Sequence, residues 1–205
     1  MESTYGTKSD KTPSRRESEE ELIKIVTKTV ERKGKILMPV LGVGRSQEVM
    51  LILDKIMEEG KIPKIPVYLQ GMVWDIVAIH TAYPDYLSPK VRKQIFQYDK
   101  NPFLSDIFKR IVSQKEMQEV IDNAGPYIVV ATSGMLTGGA SVTYFEAFAE
   151  NTKNSLVLTS YQGVGSLGRR LQEGEREIYT IKGGSKKQER LEIKMEVYSL
   201  AGFSG

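Results

Sequence analysis

Cysteine is absent from the 205 residues, and histidine occurs once, at His80. The first absence excludes disulfides and thiolate metal sites. The second excludes a histidine-rich metal centre built by this chain alone, because zinc takes about three or four ligands, usually with nitrogen or sulfur among them. A Ser-His-Asp triad would have to use His80 as its base. That residue stands among Ile79, Thr81 and Ala82 on a predicted helix and reads as structural. Long apolar runs are missing too: none approaches the roughly 20 residues that cross a bilayer. Met1 is followed at once by Glu2 and polar residues, without a signal-peptide pattern. The expectation is a cytoplasmic protein with no membrane partner. An excess of charge of one sign is also lacking: the net charge is +3, so the placement of basic residues says more about a polyanionic partner than their sum.

What is present fits one soluble domain with a core of its own: 40% hydrophobic and 27% charged residues in 205. Ser18-Glu19-Glu20-Glu21 matches a capping box, followed by Leu22, Ile23, Val26 and Val30 at helical spacing and a stop at Gly34. Lys35 to Leu41 reads as a buried strand, and Ser46 to Glu59 as a helix. Ile65 to Leu69 is a strand, Met72 to Tyr83 a helix, and Ser88-Pro89 the N-cap and first position of another. The stretch 98–106 reads as loop and Gln114 to Asn123 as helix. Tyr127 to Thr132 and Ser155 to Ser160 are continuous apolar strands, the mark of a sheet buried on both faces. Val142 to Ala149 is a helix between them. Glu177 to Lys182 and the alternating Leu191 to Tyr198 close the chain as two strands joined by a charged turn. Strands alternating with helices predict an α/β fold, a mainly parallel sheet with helices on both faces.

Three glycine turns end predicted parallel strands: Gly42-Val43-Gly44-Arg45-Ser46, Ser133-Gly134-Met135, and Gly163-Val164-Gly165-Ser166. In an open α/β sheet these ends border the ligand crevice. Glycine lets backbone approach an anion, and a following helix offers N–H groups and a positive dipole end. Tight turning alone would also account for any one of them. Arg45 in the first turn, and Arg169 and Arg170 after the third, carry guanidinium groups suited to phosphate oxygens. A dinucleotide fingerprint fails on two counts: Gln47 stands where the third glycine belongs, and the next strand ends in Tyr68-Leu69-Gln70-Gly71 without an acid. No G-K-[ST] ending marks a P-loop. Recognition of a phosphate backbone by several separated loops remains.

Five stretches, in order, resemble the β-CASP family of nucleic-acid-processing enzymes within the metallo-β-lactamase superfamily: ESTYG at 2–6, GRSQE at 44–48, ATSGML at 131–136, SYQGVGSLGRR at 160–170 and the terminal GFSG. GMVWDIVAIHTAYPDYL and NPFLSDIFKR are similar in particular to the archaeal, KH-domain-bearing group related to the nuclease subunit of the cleavage and polyadenylation specificity factor. The resemblance implies a Rossmann-like β-CASP domain spanning 1–205, with a core at about 16–182. Residues 1–15 and 183–205 would connect it to a metallo-β-lactamase domain, the short C-terminal strands returning toward that domain. It implies a ribonuclease that hydrolyses phosphodiesters with two zinc ions (Zn2+), acting in RNA 3′-end processing, transcription termination or RNA decay. The zinc ligands would lie outside this segment, leaving the segment alone inactive. The partners implied are single-stranded RNA, the protein's own metallo-β-lactamase domain and a second copy of the full-length chain.

Carried over residue by residue, Glu2 matches the acid of the first β-CASP motif, near the metal centre. Ser133, Gly134 and Met135 match one RNA-phosphate loop, and Tyr161, Gly165 and Ser166 another. Arg169 and Arg170 occupy the stretch where the family places a histidine, which favours phosphate contact over acid–base work. A non-catalytic RNA-binding or scaffold subunit is the alternative reading, since some relatives have lost their metal ligands.

Overall fold

The computed structural model describes residues 13–180 and 188–203. Helix α1 (Arg15–Glu31) leads into β1 (Lys35–Pro39), α2 (Arg45–Glu58), β2 (Val67–Gln70), α3 (Met72–Ala82) and α4 (Pro89–Tyr98). Then follow β3 (Phe108–Arg110), α5 (Gln114–Asp122), β4 (Tyr127–Ala131), α6 (Ala140–Phe148), β5 (Ser155–Leu158) and α7 (Leu167–Gln172). Strands β6 (Glu177–Thr180), β7 (Glu189–Glu192) and β8 (Glu196–Ser199) complete the chain, with short 3-10 turns at Pro84–Tyr86, Pro102–Leu104 and Ala201–Phe203.

The main sheet has six strands in the order β3-β2-β4-β1-β5-β8, every pairing parallel. β1 is registered against β4 over its whole length, Lys35 beside Tyr127 through Pro39 beside Ala131, and borders β5 on its other side. Alternate residues of each strand enter two different cores. Ile36, Met38, Val67, Leu69, Ile128, Val130 and Val157 pack with α1, α2 and α3. Leu37, Val129, Ala131, Leu156 and Leu158 pack with α5, α6 and α7. Helices on both faces explain why these strands carry unbroken apolar runs instead of alternating ones. The sheet and its helices are the Rossmann-like arrangement expected.

Several local readings are corrected. The capping box sits one turn earlier: Ser14 accepts from the Glu17 amide at 3.2 Å, and Glu17 accepts from the Ser14 amide at 2.7 Å. Ser14 and Ser18 each have a glutamate three positions on; Ser18 is buried inside α1 against Gly202 of the last 3-10 turn. β3 falls outside the predicted strands, because only Phe108 of its three residues is buried and the apolar signal is correspondingly short.

The C-terminal alternation is not one strand. Leu191 pairs antiparallel with Ile178 in a separate two-stranded sheet, whereas Val197 lies parallel beside Leu156 in the main sheet. The chain switches sheets where the Lys194 and Met195 amides both donate to the Ala149 carbonyl, at 2.8 and 2.9 Å. Within the stretch 183–205, expected to lead to a metallo-β-lactamase domain, the described residues 189–203 pack onto this fold. Met195 is in one core and Leu200 and Phe203 in the other, because β8 forms the edge of the main sheet and Phe203 packs beneath α1.

No described helix is long and apolar enough to cross a membrane.

Candidate nucleic-acid interface

The three glycine turns follow β4, β1 and β5, which are adjacent strands, so they meet on one edge. The chain leaves β1 toward the face covered by α2, but leaves β4 and β5 toward the face covered by α6 and α7. This divergence of neighbouring connections opens the crevice in which such sheets bind ligands.

The turns are fastened to one another through backbone. Gly134 is buried, and a side chain there would stand 2.9 Å from both the Leu41 amide nitrogen and the Val40 carbonyl carbon. Only glycine permits that approach of the second turn to the first. Gln162 Nε2 donates to the Gly134 carbonyl at 3.0 Å and to that of Ser160 at 2.9 Å, joining the third turn to the second. The Gly168 amide donates to the Met135 carbonyl at 3.2 Å, adding the start of α7. Gln162 is not among the site residues that the sequence points to. Its signal is a polar residue directly after an apolar strand and inside a glycine turn.

This fastening uses groups expected to face an anion. Gln47, at the missing third glycine, is buried and accepts from the Gly44 amide at 2.8 Å. The Arg45 amide donates to Val43, and the Ser141 amide, in the first turn of α6, to Thr132. The Ser166 hydroxyl caps α7, accepting from the Arg169 amide at 3.2 Å while donating to Gly163 at 2.7 Å. The Ser133 hydroxyl accepts from the Thr137 amide and donates to Gly138, both at 3.1 Å. Ser133 and Ser166 therefore shape their turns from within.

Open to the outside are Gly44 and Gly165, both with positive φ (79° and 82°) and with free space where a Cβ would stand. Around them stand Leu41, Val43, Met72, Tyr161 and Val164, all exposed, Val164 by 90%. Thr159 Oγ1, Ser160 Oγ and Gln162 Oε1 lie just beneath, buried and without a hydrogen-bond partner among the described residues.

The arginines differ from one another. Arg45 is largely buried and forms an ion pair with Glu48, which also holds Arg15 at 3.2 Å. Arg169 Nε lies 2.7 Å from Glu173, whose hydrogen bond pushes the guanidinium pKa up; Tyr161 adds a smaller effect in the same direction. Arg170 is held by both oxygens of Glu175. Exposed pairs of this kind are worth about 0–1 kcal/mol, so either guanidinium can exchange its carboxylate for a phosphate. Glu2 lies outside the described residues. His80, expected to be structural, has its Nδ1 2.8 Å from the Ile76 carbonyl and its ring edge-on to Phe103. Among the described residues no group of three or more His, Cys, Asp or Glu is placed to hold a metal ion.

The Beta-Casp domain model matches residues 46–171. The chain is 48% identical over its full length to the transcription termination factor FttA of Thermococcus kodakarensis, and likewise 48% to that of Methanocaldococcus jannaschii. The protein of the same name from Methanosarcina mazei is 46% identical, again over the whole chain. In each case the chain covers 31–32% of the relative, so it spans about a third of the length of the curated relatives it matches.

Proposed function

The chain belongs to the β-CASP family, and from that premise we propose that it is the RNA clamp of a zinc-dependent ribonuclease acting in transcript 3′-end formation or transcription termination. The observation that carries this reading is the meeting of three glycine turns on adjacent strands, with open glycines and an exposed tyrosine on one edge. Such an edge suits a sugar-phosphate backbone, which is bound for position and not for sequence. Tyr161 offers a face for a base. Arg169 and Arg170 supply charge once released from Glu173 and Glu175, and Arg45 braces α2 beneath the first turn. Leu41, Val43, Met72 and Val164 form an apolar surface suited to a second domain, here the protein's own metallo-β-lactamase domain.

The described residues do not fit a zinc site. The two zinc ions are therefore proposed for other parts of the full-length protein, and no chemical step through them is assigned to this chain. Its contribution is to hold the RNA backbone and to shield the cleft.

The test compares the full-length protein with this 205-residue chain on labelled single-stranded RNA. The full-length protein should cleave RNA and lose that activity on zinc chelation, while the chain alone binds weakly and leaves RNA intact. A full-length protein that binds RNA but leaves it uncut with zinc in place would support a scaffold role and contradict the nuclease reading.

A further inference from the structure

A second cluster of rings and cations lies away from the glycine edge. α3 starts at the carboxyl end of β2 and its 11 residues carry the chain about 16 Å toward the other end of the sheet. α4 follows there, after the 3-10 turn Pro84–Tyr86. Only Val91 of α4 is buried. Tyr86, Phe96 and Tyr98 are exposed by 89%, 60% and 64%.

These rings are interleaved with positive charge. α4 contains Lys90, Arg92 and Lys93 and no acid. None of the three is in an ion pair among the described residues, whereas neighbouring Lys100 is paired with Glu58. Arg92 and Phe96 are four residues apart and Lys93 and Phe96 three apart, so they share a helix face. Lys93 Nζ stands 5.8 Å from the Tyr98 ring centroid. Arg92 Nη1 reaches the Asp85 carbonyl at 3.5 Å, tying α4 to the turn that carries Tyr86.

A large exposed ring gains nothing from water, and unpaired cations beside three of them define a chemistry. Bases stack on the rings and phosphates sit against the cations, which is how single strands are held without reading sequence. A purely apolar partner would leave three charges to be desolvated without compensation. We propose that the α4 face is a second binding site for single-stranded RNA, separate from the glycine edge. Only the choice of RNA over DNA rests on the proposed function; the stacking chemistry does not.

The test uses fluorescein-labelled oligouridylate of about six nucleotides, long enough for one site, with binding followed by anisotropy on the full chain. Phe96→Ala with Tyr98→Ala should weaken binding to this face about tenfold or more, leaving the melting temperature unchanged. Phe96→Tyr with Tyr98→Phe should restore it. Arg92→Ala with Lys93→Ala should lower the salt slope by roughly 1.4, about 0.7 for each phosphate no longer neutralised. Arg169→Ala with Arg170→Ala provides the contrast: loss there with no effect at α4 overturns this site alone, and the reverse overturns the glycine edge alone. If the ring variants abolish self-association in sedimentation while RNA affinity holds, the face is a protein contact and the proposal fails.

Discussion

Gln162 Nε2 donates to the Gly134 carbonyl at 3.0 Å, binding the turn after β5 to the turn after β4. The side chain is 1% exposed, so neither group has water as an alternative. Replacing Gln162 by Ala should cost about 1–3 kcal/mol, the usual result of leaving a buried acceptor unmet. Urea denaturation measures this, and RNA affinity should fall with it because the two turns lose their common support. An unchanged midpoint would show that the turns stand independently.

Gly134→Ala attacks the same joint from the other side. Its methyl would meet the Val40–Leu41 peptide at 2.9 Å, so one of the two turns must move. The expected penalty is about 1–3 kcal/mol, visible as a lower thermal midpoint. A fully stable variant would mean that the turns separate freely.

Arg169 and Arg170 should both contribute to RNA binding once released from Glu173 and Glu175. Changing both to alanine should reduce the salt slope of single-stranded RNA binding by roughly 0.7 for each phosphate that loses its cation. Glu173→Gln frees Arg169 from its carboxylate and should strengthen binding. An unchanged slope in the alanine variant would leave both guanidiniums as surface braces only.

Glu196 joins β8 to α1. Burial pushes its carboxyl up, but hydrogen bonds from Lys28, Tyr198 and Arg32 together outweigh that and hold the pKa at about 2. A carboxyl depressed in the folded state contributes stability above its unfolded value, near about 4.3. That contribution is lost as pH falls toward 2. Urea midpoints between about pH 5 and 2 should decline in the wild type, and Glu196→Gln should flatten part of that decline. Parallel curves would show that the three donors do not favour the charged form.

Met195 tests whether the C-terminal segment belongs to the fold. It is 2% exposed, in the core under α6 and α7. Met195→Ala should cost about 2–5 kcal/mol. A loss below about 0.5 kcal/mol, the range of surface positions, would show that this segment adds little to the stability of the fold.

The main architecture was legible because its signals were local and repeated. Apolar runs such as Tyr127–Ala131 gave away a sheet covered on both sides, and glycines at three strand ends marked the crevice. What stayed hidden depends on contacts distant in sequence. Ser14 and Ser18 present the same capping pattern, and only packing against Gly202 decides between them. The strict alternation from Leu191 to Val197 conceals a change of sheet, since a side-chain period of two is equally good on either side of the switch. Gln47 looks like a defect in a fingerprint, yet it closes the first turn by accepting from the Gly44 amide. The pairing of Arg169 and Arg170 with Glu173 and Glu175 follows helical spacing, but whether a guanidinium faces its neighbour or a ligand is not encoded in spacing.

RNA backbone is proposed to lie across the three glycine turns. Titrating single-stranded RNA into the isotopically labelled chain and following backbone amide shifts tests it most directly. The largest changes are expected at 41–44, 133–139 and 160–170, with a separate, smaller set on α4. Shifts that leave all three turns untouched, at RNA concentrations where binding is complete, would contradict it.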